Sequence, residues 1–162
     1  MSSAANRSRL FALALFPLLI GVSPADADVL ARVVSVHDGD TLTVLIEKRQ
    51  VKVRLADIDA PELRQPFGTR SKQSLSELCF GKAATLDVRG QDRYKRTIAQ
   101  VTCAGTDANA EQVRRGMAWT YTRYAPAGSP LFAVQAAAQS SHRGLWADQA
   151  PVPPWDWRKN GR

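Results

Sequence analysis

The chain has 162 residues, a formal net charge of +7, two cysteines and two histidines. So few histidines, and cysteines without the spacing of metal ligands, argue against a zinc site. The positive charge favours polyanionic partners, nucleic acid first and an anionic membrane second.

Residues 1–27 have the pattern of a secretory signal peptide. Arg7 and Arg9 precede the apolar run Leu10–Val22, and Ala25–Ala27 form a small-residue cleavage site. The run of 13 residues is shorter than the roughly 20 that a spanning helix needs, which favours cleavage over an uncleaved membrane anchor. We expect an exported protein, periplasmic or secreted. It would keep a charge of +6, because the excised segment carries a net +1.

Three antiparallel strands are predicted next, because β-branched residues are dense and no helical period appears. They span Val29–Val36, Thr41–Ile46 and Val51–Leu55, and charged turns at 37–40 and 47–50 separate them. A helix is predicted within 65–82, where residues recur at helical spacing up to a glycine. Beyond it we predict strands over 83–90 and 96–105, short helices over 106–116 and 130–144, and an extended proline-rich segment from residue 150.

Five strands with a helix after the third indicate an α+β fold that is mainly a β barrel. The layout predicts a five-stranded OB-fold barrel with about three packed helices. No linker divides the chain, so we expect one domain over residues 28–146, followed by a Pro/Trp-rich tail over 147–162.

Four short polar segments lie at strand ends or between strands. Taken singly, each is typical of a turn, a charged loop or a half-buried strand. The segments are Asp38–Asp40 in DGD, Arg54 in the third strand, Asp59–Glu62 in DAPE and Arg93–Arg96 within DRYKR.

Taken together, these segments predict a site for phosphoryl transfer. In a meander, Asp40 and Asp59 reach the same end of the sheet, and a hard cation such as calcium would relieve their repulsion. Arg54 and Arg96 could grip a phosphate beside that cation, because guanidinium binds phosphate with two parallel hydrogen bonds. Glu62 lies three residues beyond Asp59, where it could hold a water.

The motifs HDGDT, RLADIDAPE, QPFG, DRYKRT and VRRGMAW, found in this order, resemble those of the staphylococcal nuclease (thermonuclease) family. The resemblance runs from about Val29 to Trp146 and points to an exported bacterial member. It implies an OB-fold enzyme that hydrolyses DNA and RNA with calcium and leaves 3′-phosphate and 5′-hydroxyl ends.

The resemblance also implies a role for each matched residue. Asp38 would act behind the metal ligands, and Glu62 would orient or deprotonate the attacking water, while the two arginines stabilise the phosphate. The implied calcium ligands are Asp40, Asp59 and the backbone carbonyl of Ala60. The implied catalytic residues are Arg54, Glu62 and Arg96.

Substrate contacts follow less directly from the resemblance. Tyr94 matches a nucleotide-contacting tyrosine of the best-known member, but a second such tyrosine falls on Thr122, so Tyr121 or Tyr124 is expected to replace it. Lys95 stands where that member has glycine and adds positive charge. The predicted substrate-binding residues are Arg93, Tyr94, Lys95 and Tyr124.

Cys79 and Cys103 end the first helix and the fifth strand of this prediction. An even cysteine count in an exported protein favours a disulfide between them, and two buried free thiols are the alternative.

Three functions remain open from the sequence: a calcium-dependent nuclease, a non-catalytic OB-fold module that binds single-stranded nucleic acid, and a calcium-stabilised structural protein of the envelope. The complete set of carboxylates and arginines favours the nuclease, because a degenerate domain would have lost at least one of them. We expect a monomer with DNA and RNA as substrates and no stable membrane insertion after cleavage of the signal peptide.

Overall fold

The computed structural model describes residues 29–161, so the predicted signal peptide lies outside the described residues. Within that range no helix is long and apolar enough to cross a membrane. The strands are β1 (Val29–Val36), β2 (Thr41–Ile46), β3 (Arg49–Leu55), β4 (Ile58–Asp59), β5 (Ala83–Gln91), β6 (Thr97–Cys103), β7 (Thr106–Asp107) and β8 (Trp119–Thr120). The α-helices are α1 (Gly68–Cys79), α2 (Ala108–Arg114), α3 (Leu131–Ser140) and α4 (Pro154–Asn160), and Gly144–Ala147 form a 3-10 helix.

The five long strands close into a barrel. They are ordered β3-β2-β1-β5-β6 with antiparallel neighbours. A parallel pairing of β3 with β6 joins the two ends of this order. The predicted α+β class and five-stranded OB-type barrel are therefore confirmed, with four α-helices packed around it where about three were expected.

The barrel interior is filled by branched aliphatic side chains from alternating positions of the strands. Each large side chain removed from water contributes about 1.5–3 kcal/mol to stability. The fully buried members include Val33, Leu42, Val44, Val53, Leu55, Leu86 and Val101.

The disulfide between Cys79 and Cys103 is formed in the structure. It joins the end of α1 to the end of β6 across 24 residues of sequence. Because the bond restricts a loop of this length in the unfolded chain, it contributes about 3 kcal/mol to the free energy of unfolding.

The prediction of an extended C-terminal segment was wrong, since residues 154–160 form α4. The density of proline predicts an extended chain, but Pro154 occupies the start of the helix, where a missing N–H group costs no hydrogen bond. Asp156 in the first turn and Arg158 and Lys159 in the last turn also suit the helix dipole.

Two further boundaries differ from the prediction: one helix is shorter and one strand is longer. The last predicted helix, 130–144, ends at Ser140, because His142 and Gly144 take positive φ values of 50° and 56° and turn the chain. The second turn is shorter than predicted, so β3 begins at Arg49.

Candidate active site

Strand register brings the DGD loop to the end of β3. Thr41, the first residue of β2, pairs with Arg54 in β3. The N–H of Leu55 then donates to the carbonyl of Asp40 at 2.8 Å, which extends the pairing by one step. Asp40 is therefore fixed beside Arg54 by backbone hydrogen bonds rather than by flexible side chains.

A second carboxylate meets Arg54 from the short strand β4. The Nη2 atom of Arg54 donates to Asp59 Oδ1 at 2.7 Å and lies 3.4 Å from Asp40 Oδ2. Its Nη1 atom donates to the carbonyls of Leu55 and Ile58 at 3.3 and 3.1 Å. Asp59 is 1% exposed and Asp40 is 6% exposed, so two nearly buried carboxylates share one guanidinium.

The carboxylate of Asp40 is oriented by two hydrogen bonds in addition to its ion pair with Arg54. It accepts hydrogen bonds from the Thr41 hydroxyl at 2.8 Å and from the Ala60 N–H at 3.0 Å. Asp38 Oδ1 accepts a hydrogen bond from the N–H of Asp40 at 3.0 Å, which stabilises the backbone of the DGD loop.

The pKa values of two of these carboxylates are raised. Burial, followed by the charge of Asp40, raises the pKa of Asp38 to about 6. Burial also raises the pKa of Asp59, although the hydrogen bond from Arg158 acts in the opposite direction and lowers it.

Gly39 and two helices hold the DGD loop against the barrel. The buried side chain of Gln112 in α2 donates to the Gly39 carbonyl at 2.7 Å and to the Ser71 carbonyl at 3.1 Å. A Cβ atom at position 39 would lie 1.8 Å from the Ser71 hydroxyl oxygen, so only glycine fits this close approach. No spacing in the sequence marks Gln112 or Ser71 for this role.

Asn109 is a second buried polar residue that positions the site. Its Oδ1 accepts the Val101 N–H at 3.0 Å, and its Nδ2 donates to the carbonyls of Ala56 and Ala99 at 2.9 and 3.4 Å. It therefore ties the turn between β3 and β4, which leads into Asp59, to strand β6.

We expect Asn109→Ala to lower the free energy of unfolding by about 2–4 kcal/mol, because the Val101 N–H and the Ala56 carbonyl lose their partner inside the protein. The Ala99 carbonyl keeps the N–H of Ala56 at 2.8 Å. The control is Asn160→Ala, at an exposed position. Urea denaturation should show almost no change in its free energy of unfolding. A drop for Asn109→Ala no larger than that of the control would contradict the assigned role.

Arg158, which belongs to none of the predicted site motifs, reaches the cluster from α4. Its Nη2 donates to Asp59 Oδ2 at 2.7 Å, and its Nη1 donates to Glu62 Oε1 at 2.7 Å. Burial would lower the pKa of Arg158, but the hydrogen bonds to Asp59 and Glu62 raise it. The only sequence feature that could have marked this residue is the concentration of tryptophan and basic residues in PPWDWRK.

Glu62 lies at the rim of the cluster, with its side chain 44% exposed. Its backbone N–H donates to Gln65 Oε1 at 3.2 Å. Gly68, at the start of α1, packs so closely that a Cβ atom there would lie 1.9 Å from the Glu62 carbonyl oxygen. The Glu62 backbone is thus held firmly, while its carboxylate is paired with Arg158 on one side and partly exposed to solvent.

Within residues 29–161, Arg96 makes no hydrogen bond or ion pair with the carboxylate cluster, unlike the predicted catalytic residues Arg54 and Glu62. The parallel register of Val53 with Thr97 places it beside β3. Its Nε and Nη2 atoms, however, each lie 2.7 Å from Asp92 Oδ2 within its own loop. Slight burial would raise the pKa of Asp92, but hydrogen bonds from Arg96 and Tyr94 lower it.

The same loop presents Tyr94 to solvent. The Tyr94 side chain is 64% exposed, and the guanidiniums of Arg93 and Arg96 lie 4.7 and 5.6 Å from its ring centroid. Lys95 has φ 63°, a backbone conformation that favours glycine. An exposed ring flanked by cations suits a nucleobase and its phosphate.

The two alternative tyrosines take different positions. The ring centroid of Tyr121 lies 6.0 Å from the central guanidinium carbon of Arg54. The Tyr121 ring is stacked on Trp155, with ring centroids 5.2 Å apart. Tyr124 is 62% exposed and contacts the edge of Tyr121, with ring centroids 5.0 Å apart. Tyr121 therefore lines the cluster and Tyr124 lies outside it.

The donor set fits a hard divalent cation. Asp40 and Asp59 offer buried carboxylate oxygens beside one guanidinium nitrogen, and the backbone of Ala60 adjoins them. Calcium accepts carboxylate, carbonyl and water oxygens together. Within residues 29–161 no three His, Cys, Asp or Glu side chains converge as a metal cluster, so backbone and water oxygens would have to complete the ligand set.

Comparison with known proteins agrees with this arrangement. A family model described as staphylococcal nuclease homologue matches residues 52–148, which include Arg54, Asp59, Glu62 and Arg96. A protein of Haemophilus influenzae named "Uncharacterized endonuclease" is 46% identical over 130 residues, covering 79% of this chain and 72% of that protein.

Two further relatives match over nearly their whole length. "Protein ParB" of Escherichia coli is 39% identical over 158 residues, or 91% of this chain and 89% of that protein. "Micrococcal nuclease" of Shigella flexneri is 38% identical over 169 residues, or 98% of this chain and 96% of that protein. These matches confirm the resemblance that the motifs indicated, and the chain belongs to the staphylococcal nuclease family.

Proposed function

We propose that the chain is a calcium-dependent nuclease that cuts DNA and RNA and leaves 3′-phosphate and 5′-hydroxyl ends. Its membership of the family and its relatives named as nucleases make it a phosphodiester hydrolase acting on nucleic acid. The observation that carries the finer proposal is the buried meeting of Asp40 and Asp59 on one side of Arg54, with Glu62 at the solvent rim.

Asp40, Asp59 and the carbonyl of Ala60 would hold the cation. When bound, calcium would polarise a phosphoryl oxygen and offset the charge that develops on the phosphate. Asp38 keeps Asp40 in place through the N–H of that residue. The hydrogen bonds from Thr41 and Ala60 leave the Asp40 carboxylate little freedom to turn away.

Arg54 and Glu62 would be the protein side chains that act directly on the phosphate and the attacking water. The Arg54 guanidinium is fixed by two backbone carbonyls, so it can hold a phosphate oxygen with little reorganisation. The Glu62 side chain is 44% exposed, so once its ion pair with Arg158 opens it can orient a water and accept the proton of that water. Arg96 would add a second guanidinium by exchanging Asp92 for the phosphate of the substrate.

The exposed loop beside the cluster would contact the rest of the nucleic acid. Tyr94 offers a stacking surface, and Arg93 and Lys95 on either side supply positive charge for phosphates. Tyr124 offers a further exposed ring. The alternative function, a module that binds single strands without cutting them, would use these same contacts.

We further propose export to the periplasm or the medium as a monomer, with no stable membrane insertion after loss of residues 1–27. The leader pattern and the Cys79–Cys103 disulfide support this, since disulfides persist in oxidising compartments. The domain would comprise residues 28–146, with the tail over 147–162 docked on it through α4.

The chemistry of the product ends tests the proposed reaction. Purified protein with calcium should cut single-stranded DNA, duplex DNA and RNA to fragments whose new 5′ ends accept phosphate from a polynucleotide kinase without prior phosphatase treatment. Labelling only after phosphatase treatment would show 5′-phosphate products and contradict the proposal. Binding of all three substrates without cutting would leave the non-catalytic module.

A further inference from the structure

Arg158 covers the two carboxylates that the proposed reaction needs most. Asp59 Oδ1 accepts from Arg54 and Asp59 Oδ2 accepts from Arg158, both at 2.7 Å, so each oxygen of this nearly buried carboxylate holds a guanidinium. The second nitrogen of Arg158 holds Glu62 at 2.7 Å. One side chain therefore binds a predicted metal ligand and the predicted base together.

The helix that carries Arg158 is docked by side chains other than Arg158. Trp155 is stacked on Tyr121 with ring planes 9° apart, and its centroid lies 5.8 Å from that of Trp119. Just before the helix, the side chain of Gln65 donates to the Val152 carbonyl at 2.6 Å. The position of Arg158 beside the cluster therefore depends on the packing of Trp155, which does not involve the carboxylates.

A guanidinium and a divalent cation compete for the carboxylate of Asp59. Both are stabilised by the same negative charge, and a bound cation repels a guanidinium hydrogen-bonded to its own ligand. Arg54 is fixed by backbone carbonyls and is 13% exposed, whereas Arg158 is 41% exposed and lies at the outer side. Arg158 is therefore the partner of Asp59 that can leave.

We propose that α4 is a latch in which Arg158 occupies Asp59 and Glu62 until a divalent cation displaces it. The inference rests on the proposed cation site and adds a control on it. Displacement would free Asp59 to bind the cation and Glu62 to orient water in the same event. Because coupling between two sites is reciprocal, the docked helix must weaken cation binding by the factor by which the cation weakens docking.

Calorimetric titration with calcium, in the absence of nucleic acid, tests the latch. Arg158→Gln should bind calcium about ten-fold more tightly than the wild type, within the usual range of coupling between sites. The matched control is Lys159→Gln, which removes the same charge from the next residue of the helix. Among residues 29–161 the Lys159 ammonium pairs with Asp156 alone, at 3.1 Å, so this control should bind calcium like the wild type.

A second variant separates the latch from a simple effect of charge. Trp155→Ala removes the aromatic anchor and leaves every charged group of the cluster in place. It should also tighten calcium binding, because α4 then docks less often. Thermal unfolding of each variant verifies that the barrel is intact.

Tighter calcium binding by both Arg158→Gln and Trp155→Ala, with Lys159→Gln like the wild type, supports the latch. Calcium affinity of Trp155→Ala that is equal to the wild type or weaker would overturn the latch, whatever Arg158→Gln does, and would leave the proposed nuclease standing. If no form binds calcium while the protein still cuts DNA, the calcium assignment fails, and the latch fails with it.

Discussion

Glu62→Gln is expected to lower kcat for DNA cleavage by about 10²- to 10⁴-fold, because an amide cannot accept the proton of the attacking water. The carboxamide keeps the size of the side chain, so the loop from Ala60 to Gly68 should fold as before. KM should change much less than kcat, since the nucleic acid is held by the arginines and the exposed tyrosine loop.

Glu77→Gln is the matched control for this variant. Glu77 is an exposed carboxylate of α1, and its change removes the same charge from a position outside the cluster. Steady-state rates on one labelled single-stranded DNA, with calcium saturating, should leave the control near wild type. If Glu62→Gln cuts as fast as Glu77→Gln, water activation does not depend on Glu62.

The sequence predicted the part of the site that strand register controls. Val51–Leu55 alternates cleanly and the DGD turn precedes a second alternating run, so the meeting of Asp40 and Arg54 follows from antiparallel pairing. The end of β3 then carries the chain to Asp59 within five residues of Arg54. Local patterns are enough for these contacts, because each depends on neighbouring elements.

Contacts between distant segments could not be predicted in this way. Arg158 meets Asp59 across 99 residues of sequence, and nothing in the local pattern of α4 specifies that pairing. The prolines before α4 favoured an extended chain, although in the fold they only mark where the helix begins.

Buried polar residues were missed for a related reason. Asn109 and Gln112 lie in a short helix whose composition is typical of an exposed one, and only tertiary packing buries them against backbone groups of the site. Arg96 shows the opposite case. Its motif assigns it to the phosphate, but in the structure its guanidinium is paired with Asp92 in its own loop.

The second large effect is expected at Asp59. Asp59→Asn removes one of the two buried carboxylates that would hold the cation and leaves Arg54 and Arg158 without their shared anionic partner. Cleavage should fall by about two to three orders of magnitude, a loss comparable to removing one group that stabilises charge in a transition state. Calcium binding should weaken as well.

Asp57→Asn provides the control, because it changes the same charge two residues away. The Asp57 side chain pairs with the exposed Arg89, and within residues 29–161 no hydrogen bond or ion pair links it to the cluster. Asparagine also tolerates the φ of 62° found at this position. This variant should cut DNA like the wild type.

The most direct test of the metal-dependent site is the rate of DNA cleavage by the wild type, Asp59→Asn and Asp57→Asn, measured with calcium, with a chelator, and with calcium restored. The proposed site predicts that the wild type and Asp57→Asn stop in the chelator and recover with calcium, while Asp59→Asn stays nearly inactive throughout. Cleavage by the wild type that persists in the chelator, or cleavage by Asp59→Asn at the rate of Asp57→Asn, would contradict it.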